Sequence, residues 1–125
     1  CLTSNRLTIW HGDLFALQTA HLGEIAAVYD RAALVALPSE TRQRYARHLL
    51  KLAPVAVQLL ICFAYDQNQM EGPPFSVTEE MIKDLYSNTL RLTSLGSAPI
   101  DGALAARCKG SEQAWQLTPS GHQML

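Results

Sequence analysis

Apolar residues along this chain recur at two spacings, one suited to strands and one to helices. Leu7-Thr8-Ile9-Trp10 alternates and carries branched and aromatic side chains, which predicts a short strand. His11-Gly12-Asp13 ends it as a turn, and Leu14 to Leu22 has room for a helical turn. Ile25 to Tyr29 is apolar throughout, as in a parallel-sheet strand covered by helices on both faces. Pro38-Ser39-Glu40 then opens a helix, with Ser39 as N-cap and Glu40 favoured by the positive helix start. Tyr45, Leu49 and Leu52 share one side of it, and Arg42, Arg44, Arg47 and Lys51 fall largely elsewhere. Pro54 marks its end.

Val55 to Tyr65 contains a long central strand rich in Val, Leu, Ile and Phe. Asp66 to Phe75 is a polar, proline-rich loop. A second helix follows. Ser76 with Glu79 has capping-box spacing, and Thr78 before Glu79-Glu80 is an equally good start. Met81, Ile82, Leu85 and Tyr86 form its apolar side. Leu90 to Leu95 alternates as a strand, Gly96 to Gly102 reads as a loop, and Ala114 to Leu117 is a weak last strand. The order strand, strand, helix, strand, helix, strand, strand is an α/β pattern ending in an antiparallel hairpin.

Composition narrows the function. The chain has 125 residues, 48% hydrophobic and 17% charged, which suits one small globular unit. A net charge of -1 gives no electrostatic case for nucleic acid or an anionic membrane. The longest apolar run, Leu59 to Ala64, is far too short to span a bilayer. The three cysteines, Cys1, Cys62 and Cys108, have no metal-ligand spacing, and their odd number favours a reducing compartment, most simply cytoplasm. The four histidines lie far from metal-ligand spacing with each other or with cysteine, so no metal is expected. The sequence begins with Cys1 rather than methionine, which predicts an internal or C-terminal piece of a longer protein.

No nucleophile elbow, zinc-protease motif, phosphate loop or dinucleotide fingerprint is present. Candidate chemistry sits instead at three strand ends, where open α/β sheets bind ligands. At Gly12-Asp13-Leu14 a carboxylate could accept from an exocyclic amine, or Asp13 could cap its own turn. At Asp30-Arg31 an arginine fork could meet an anionic group, or could form an internal ion pair or cap a loop. At Tyr65-Asp66 and Gly72-Pro73-Pro74-Phe75 a stiff loop could present an aromatic face, or could be a connector whose Phe75 plugs the core. With parallel strands, all three would share one sheet edge.

Three segments carry a family resemblance: Leu7 to Leu17, Tyr29 to Pro38, and Tyr65-Asp66 with Glu71 to Val77. The Asp-Arg-x-Ala-Leu and Gly-Pro-Pro-Phe elements at this separation resemble the thiopurine S-methyltransferase family, bacterial branch. That family belongs to the class I S-adenosylmethionine-dependent methyltransferases. The resemblance covers Leu7 to Val77 and fades after Leu95. It implies a Rossmann-like sheet, of which this chain would hold strands 3 to 7 of the order 3-2-1-4-5-7-6. Residues 1-125 would form a single partial domain without the N-terminal cofactor-binding half.

The resemblance places Asp13, Leu14 and Arg31 near S-adenosyl-L-methionine, Arg31 also at the reacting centre, and Pro74 and Phe75 at the substrate. The implied reaction is methyl transfer to an aromatic thiol or a metalloid oxyanion, by a monomer when full length. The family's second active-site arginine has no secure equivalent between Ile100 and Lys109, Arg107 included. The alternative is a non-catalytic fragment that cannot bind cofactor alone. In such a piece the Leu7 to Trp10 strand would lack its neighbours, so Cys1 to Gly23 is expected to pack poorly or pair outside the family pattern.

Overall fold

The computed structural model describes residues 1–119. Its main sheet has four strands: β3 (Ala27–Arg31), β4 (Val57–Tyr65), β5 (Leu90–Pro99) and β6 (Gly110–Pro119), in the order β3-β4-β6-β5. β3 and β4 run parallel; β6 is antiparallel to both β4 and β5. The two helices of any length are α2 (Ser39–Leu52) and α3 (Glu79–Tyr86). Single turns, α1 (Thr19–Leu22) and α4 (Gly102–Ala105), precede β3 and link β5 to β6. Among the described residues no helix is long and apolar enough to cross a membrane.

Alternation along β4 sends Gln58, Leu60 and Cys62 into the interior, where α2 and α3 cover them. α2 contributes Tyr45, Ala46 and Leu49, spaced for one helical face, and α3 contributes Ile82 and Tyr86. Trp115 and Leu117 of β6 complete this core. The opposite face differs from the expectation of helices on both sides. Tyr29 is 64% exposed and Leu59 38%, because both helices pack on the same side of the sheet. A smaller cluster, Tyr65, Met70, Ile100 and Cys108, closes the carboxyl end of β4.

Residues before Gly23 stand apart from this sheet. β1 (Leu2–Thr3) pairs antiparallel with β2 (Thr8–Ile9) in a separate two-stranded ribbon. Leu2, Leu7, Ile9 and Trp10 all remain exposed. The expected Leu7 to Trp10 strand is thus short, β2 covering only Thr8–Ile9, and it pairs only with β1.

Several boundaries move for identifiable reasons. α2 starts at the expected cap itself: Pro38 is the N-cap, its carbonyl accepting from the Arg42 N–H at 2.9 Å, and Ser39 is already helical. α3 uses Thr78, whose Oγ1 accepts from the Met81 N–H at 3.3 Å. Ser76 is diverted to the Tyr65 N–H at 2.9 Å. The stretch from Gly96, read as loop, is largely strand. A bulge between Ser94 and Gly96 absorbs Leu95, Gly96 adopts φ +143°, and pairing resumes to Pro99. β6 likewise extends well beyond Ala114 to Leu117, because β4 and β5 hold it from both sides.

Candidate functional site

β3 ends in the Asp30-Arg31 pair, and alternation splits the two side chains between opposite faces. Asp30 turns under α2, is almost fully buried, and accepts a 2.7 Å hydrogen bond from the Tyr45 hydroxyl. Burial pushes its carboxyl above the usual range, with the Tyr45 hydrogen bond opposing. Arg31 points to the open face and pairs with Glu112 of β6 at 4.0 Å. Register puts Arg31 opposite Ile61 and Glu112 opposite Phe63, so the arginine reaches diagonally across β4. An internal ion pair, one of the alternatives open for Arg31, is thus present, with a partner from near the far end of the chain. Ala32 follows with φ +69°, a left-handed turn unusual for alanine, which ends the strand abruptly.

Arg31 and Glu112 share the rim of a recess of about 180 Å³ with Asp101, over a floor that includes Phe63, Ile100 and Leu104. An exposed charge at the rim of a partly apolar recess is the kind of polar group that can orient a small ligand.

The proline-rich loop closes the same edge of the sheet, after β4. Gln67 organises it. Its Nε2 donates to the Met70 carbonyl at 2.7 Å and to the Tyr65 hydroxyl at 3.0 Å, and its Oε1 accepts from the Ser76 N–H at 3.0 Å. The Tyr65 hydroxyl in turn donates to the Pro74 carbonyl at 2.6 Å. Gly72 has φ +90°, and a Cβ there would lie 2.7 Å from the Phe75 ring, so both conformation and space demand glycine. The Phe75 N–H donates to the Val35 carbonyl at 2.6 Å. That bond fastens the Gly-Pro-Pro-Phe loop to the turn directly after Arg31. Phe75 itself is half-buried, with the Arg42 guanidinium 5.8 Å from its ring centroid. Its ring packs against Gly72 and is not among the residues packed on either core cluster.

Arg42 is a correction to the helical pattern. It lies on the buried side of α2, and its Nη1 has no hydrogen-bond partner among the described residues. Nearby Cys62 is buried, which pushes its thiol up to about 12, so it is no nucleophile at neutral pH.

Asp13 and Leu14 lie elsewhere. Asp13 Oδ1 accepts from the Phe15 N–H at 2.9 Å, the self-capping turn. Leu14 is exposed. Both line a recess of about 270 Å³ with Trp10, Gly12, Leu17 and His21. Because β2 belongs to the separate ribbon, only two of the three expected strand ends, after β3 and after β4, share one sheet edge. Sequence reasoning missed Glu112, Gln67 and Tyr45. Tyr45 lies on the apolar stripe of α2, but nothing local marks Asp30 as its partner.

The family model described as thiopurine S-methyltransferase matches residues 2–117. A thiopurine S-methyltransferase of Xanthobacter autotrophicus is 48% identical over 111 residues, covering 89% of this chain and 52% of that protein. One of Gluconobacter oxydans is 40% identical, covering 95% of this chain and 54% of the relative. One of Pseudomonas aeruginosa is 43% identical, covering 77% and 44%. The chain spans about half the length of the curated relatives it matches. On this match, which takes in β3, β4 and the Gly-Pro-Pro-Phe loop, the chain belongs to the thiopurine S-methyltransferase family.

Proposed function

We propose that this chain forms one wall of a methyl-transfer site, in an enzyme that methylates a thiopurine-like aromatic thiol or a metalloid oxyanion. The observation that carries this reading is the 2.6 Å bond from the Phe75 N–H to the Val35 carbonyl. It ties the two family segments together at the carboxyl ends of two neighbouring parallel strands. The sheet order β3-β4-β6-β5 supports matching these strands to 4, 5, 7 and 6 of the family, with Leu7 to Trp10 as a displaced strand 3.

Methyltransferases of this family use S-adenosylmethionine, which supplies a methyl group activated on a sulfonium. The residues present fit its adenine end. The Asp13 recess has apolar sides from Trp10, Leu14 and Leu17, and Asp13 Oδ2 has no partner among the described residues, leaving it for an exocyclic amine. Arg31, exposed and only weakly paired with Glu112 at 4.0 Å, contributes positive charge for an anionic nucleophile. That charge favours the thiolate over the thiol, and the thiolate is the attacking form. Pro74 and the exposed part of Phe75 exclude water beside it, which strengthens the attraction. Such a reaction needs alignment of the attacking atom more than an acid or base.

A second reading is that the chain by itself does not hold cofactor. The open sheet face at Tyr29 and Leu59 favours it, as does the half-length match to relatives. Isothermal titration with S-adenosylmethionine tests both readings. Binding by a protein that includes the upstream coding sequence, with none by this chain, supports one wall of a divided site. Micromolar binding by the chain alone sinks the fragment reading, and no binding by either sinks the methyl-transfer reading.

A further inference from the structure

α2 carries a stripe of positive side chains for which the methyl-transfer reading has no use. Arg44, Arg47, His48 and Lys51 stand at helical spacings that align them along one side. Arg44, Arg47 and Lys51 are exposed, and none has a carboxylate partner among the described residues. Glu40 stands four residues before Arg44, a spacing suited to an ion pair, yet Arg44 instead lies over the Phe15 ring at 4.4 Å. The His48 ring sits 5.6 Å from the same phenylalanine, and its Nε2 is buried with no hydrogen-bond partner among the described residues.

These side chains border two adjoining recesses of about 350 and 270 Å³, which share Phe15, His48 and Lys51. Among the described residues no aspartate or glutamate lines either one. The recess toward Leu17 and Leu52 is the deeper and has more apolar side chains in its lining, the one at Arg44 and Arg47 is shallow, and together they are electrically one-sided, although the whole chain is slightly acidic. Fields in such clefts concentrate anions.

We propose that this groove binds a small polyanion through a run of phosphates, as in inorganic triphosphate or a nucleoside triphosphate. Seven residues of helix separate Arg44 from Lys51, about 10 Å along the axis. That distance suits several linked phosphates better than one. Phe15 holds Arg44 in place beforehand, which lowers the ordering cost of binding.

The test is an NMR titration of the full chain with inorganic triphosphate, repeated with adenosine triphosphate. The expected result is saturable shifts confined to Phe15, Arg44, Arg47, His48, Lys51 and their neighbours, weakening as salt is raised. Equal affinity for the two ligands assigns the groove to the inorganic chain; tighter binding of the nucleotide assigns it to a nucleoside triphosphate. The double variant Arg47→Gln/Lys51→Gln changes only exposed side chains and should lose about tenfold or more in affinity. Arg91→Gln, exposed on β5, should lose nothing. Three results overturn the proposal: no saturable shift, shifts spread over every basic residue, or an oligonucleotide binding far more tightly than either triphosphate. All three leave the methyl-transfer reading untouched.

Discussion

Asp30 pairs a buried carboxyl with the Tyr45 hydroxyl at 2.7 Å, and burial is the stronger influence on its ionisation. Its raised pKa means the folded state holds the proton more firmly than the unfolded state does. That stabilisation is complete below the unfolded value of about 4 and is lost as pH rises through the higher folded value. Asp30→Asn keeps an acceptor for Tyr45 and removes the charge. The stability of the variant relative to the parent should therefore grow between about pH 4 and pH 7, measured by urea unfolding at each pH. A stability difference flat across that range would contradict the burial of Asp30. The sequence made Asp30-Arg31 legible as a charged strand end. It could not show that the two acids concerned, Asp30 and Glu112, divide the roles. Glu112 meets Arg31 only through the register of β6 on β4, which no local pattern encodes.

At the scale of elements, β4 governs the sheet. It pairs with β3 on one side and β6 on the other, and β6 begins at Gly110 directly opposite Tyr65. A Cβ at Gly110 would fall onto the Ala64 carbonyl and lie 2.7 Å from the Tyr65 Cβ. Backbone contacts cannot yield as a flexible side-chain tip can. Gly110→Ala should cost about 1–3 kcal/mol in a denaturant melt. It should also loosen the Gln69 to Lys109 contacts, where the Lys109 N–H donates to Gln69 Oε1 at 2.8 Å. An unchanged midpoint would mean that β4 and β6 do not approach as described. α2 and α3 were legible because an amphipathic stripe and a cap signal are local properties. The true lengths of β5 and β6 were not, since Gly96 and Pro99 speak against strand and only pairing with β6 overrides them. The glycine in the bulge was misread as a loop signal for the same reason.

For the whole molecule, the open face of the sheet is the main structural oddity. Tyr29 and Leu59 present apolar surface there, and Leu2, Leu7, Ile9 and Leu95 are exposed elsewhere on the chain. The proposed reading lays the remainder of a longer enzyme over this face. Leu59→Thr then has two different costs. In this chain it should change stability by less than about 0.5 kcal/mol, as at other half-exposed sites. In a protein carrying the upstream coding sequence it should cost about 1–3 kcal/mol, because the leucine is buried and the hydroxyl is not readily satisfied. Equal small costs in both would leave the face open in the longer protein and count against that packing. The sequence did anticipate this arrangement in part. An apolar strand at Leu7 to Trp10 with no neighbours to pair with was expected to stray, and β2 does so.

In the proposed reading, Arg31 works at the reacting centre of a methyl-transfer site that this chain shares with the rest of a longer enzyme. The most direct measurement is the rate of labelled methyl transfer from S-adenosylmethionine to an aromatic thiol by the longer protein, with and without Arg31→Ala. The change removes an exposed side chain and its weak pair with Glu112, so folding should persist. Loss of about 100-fold in rate is the predicted result, as for removal of one group that stabilises the reacting charge. A rate unchanged by Arg31→Ala, in a protein that remains folded and active, would contradict it.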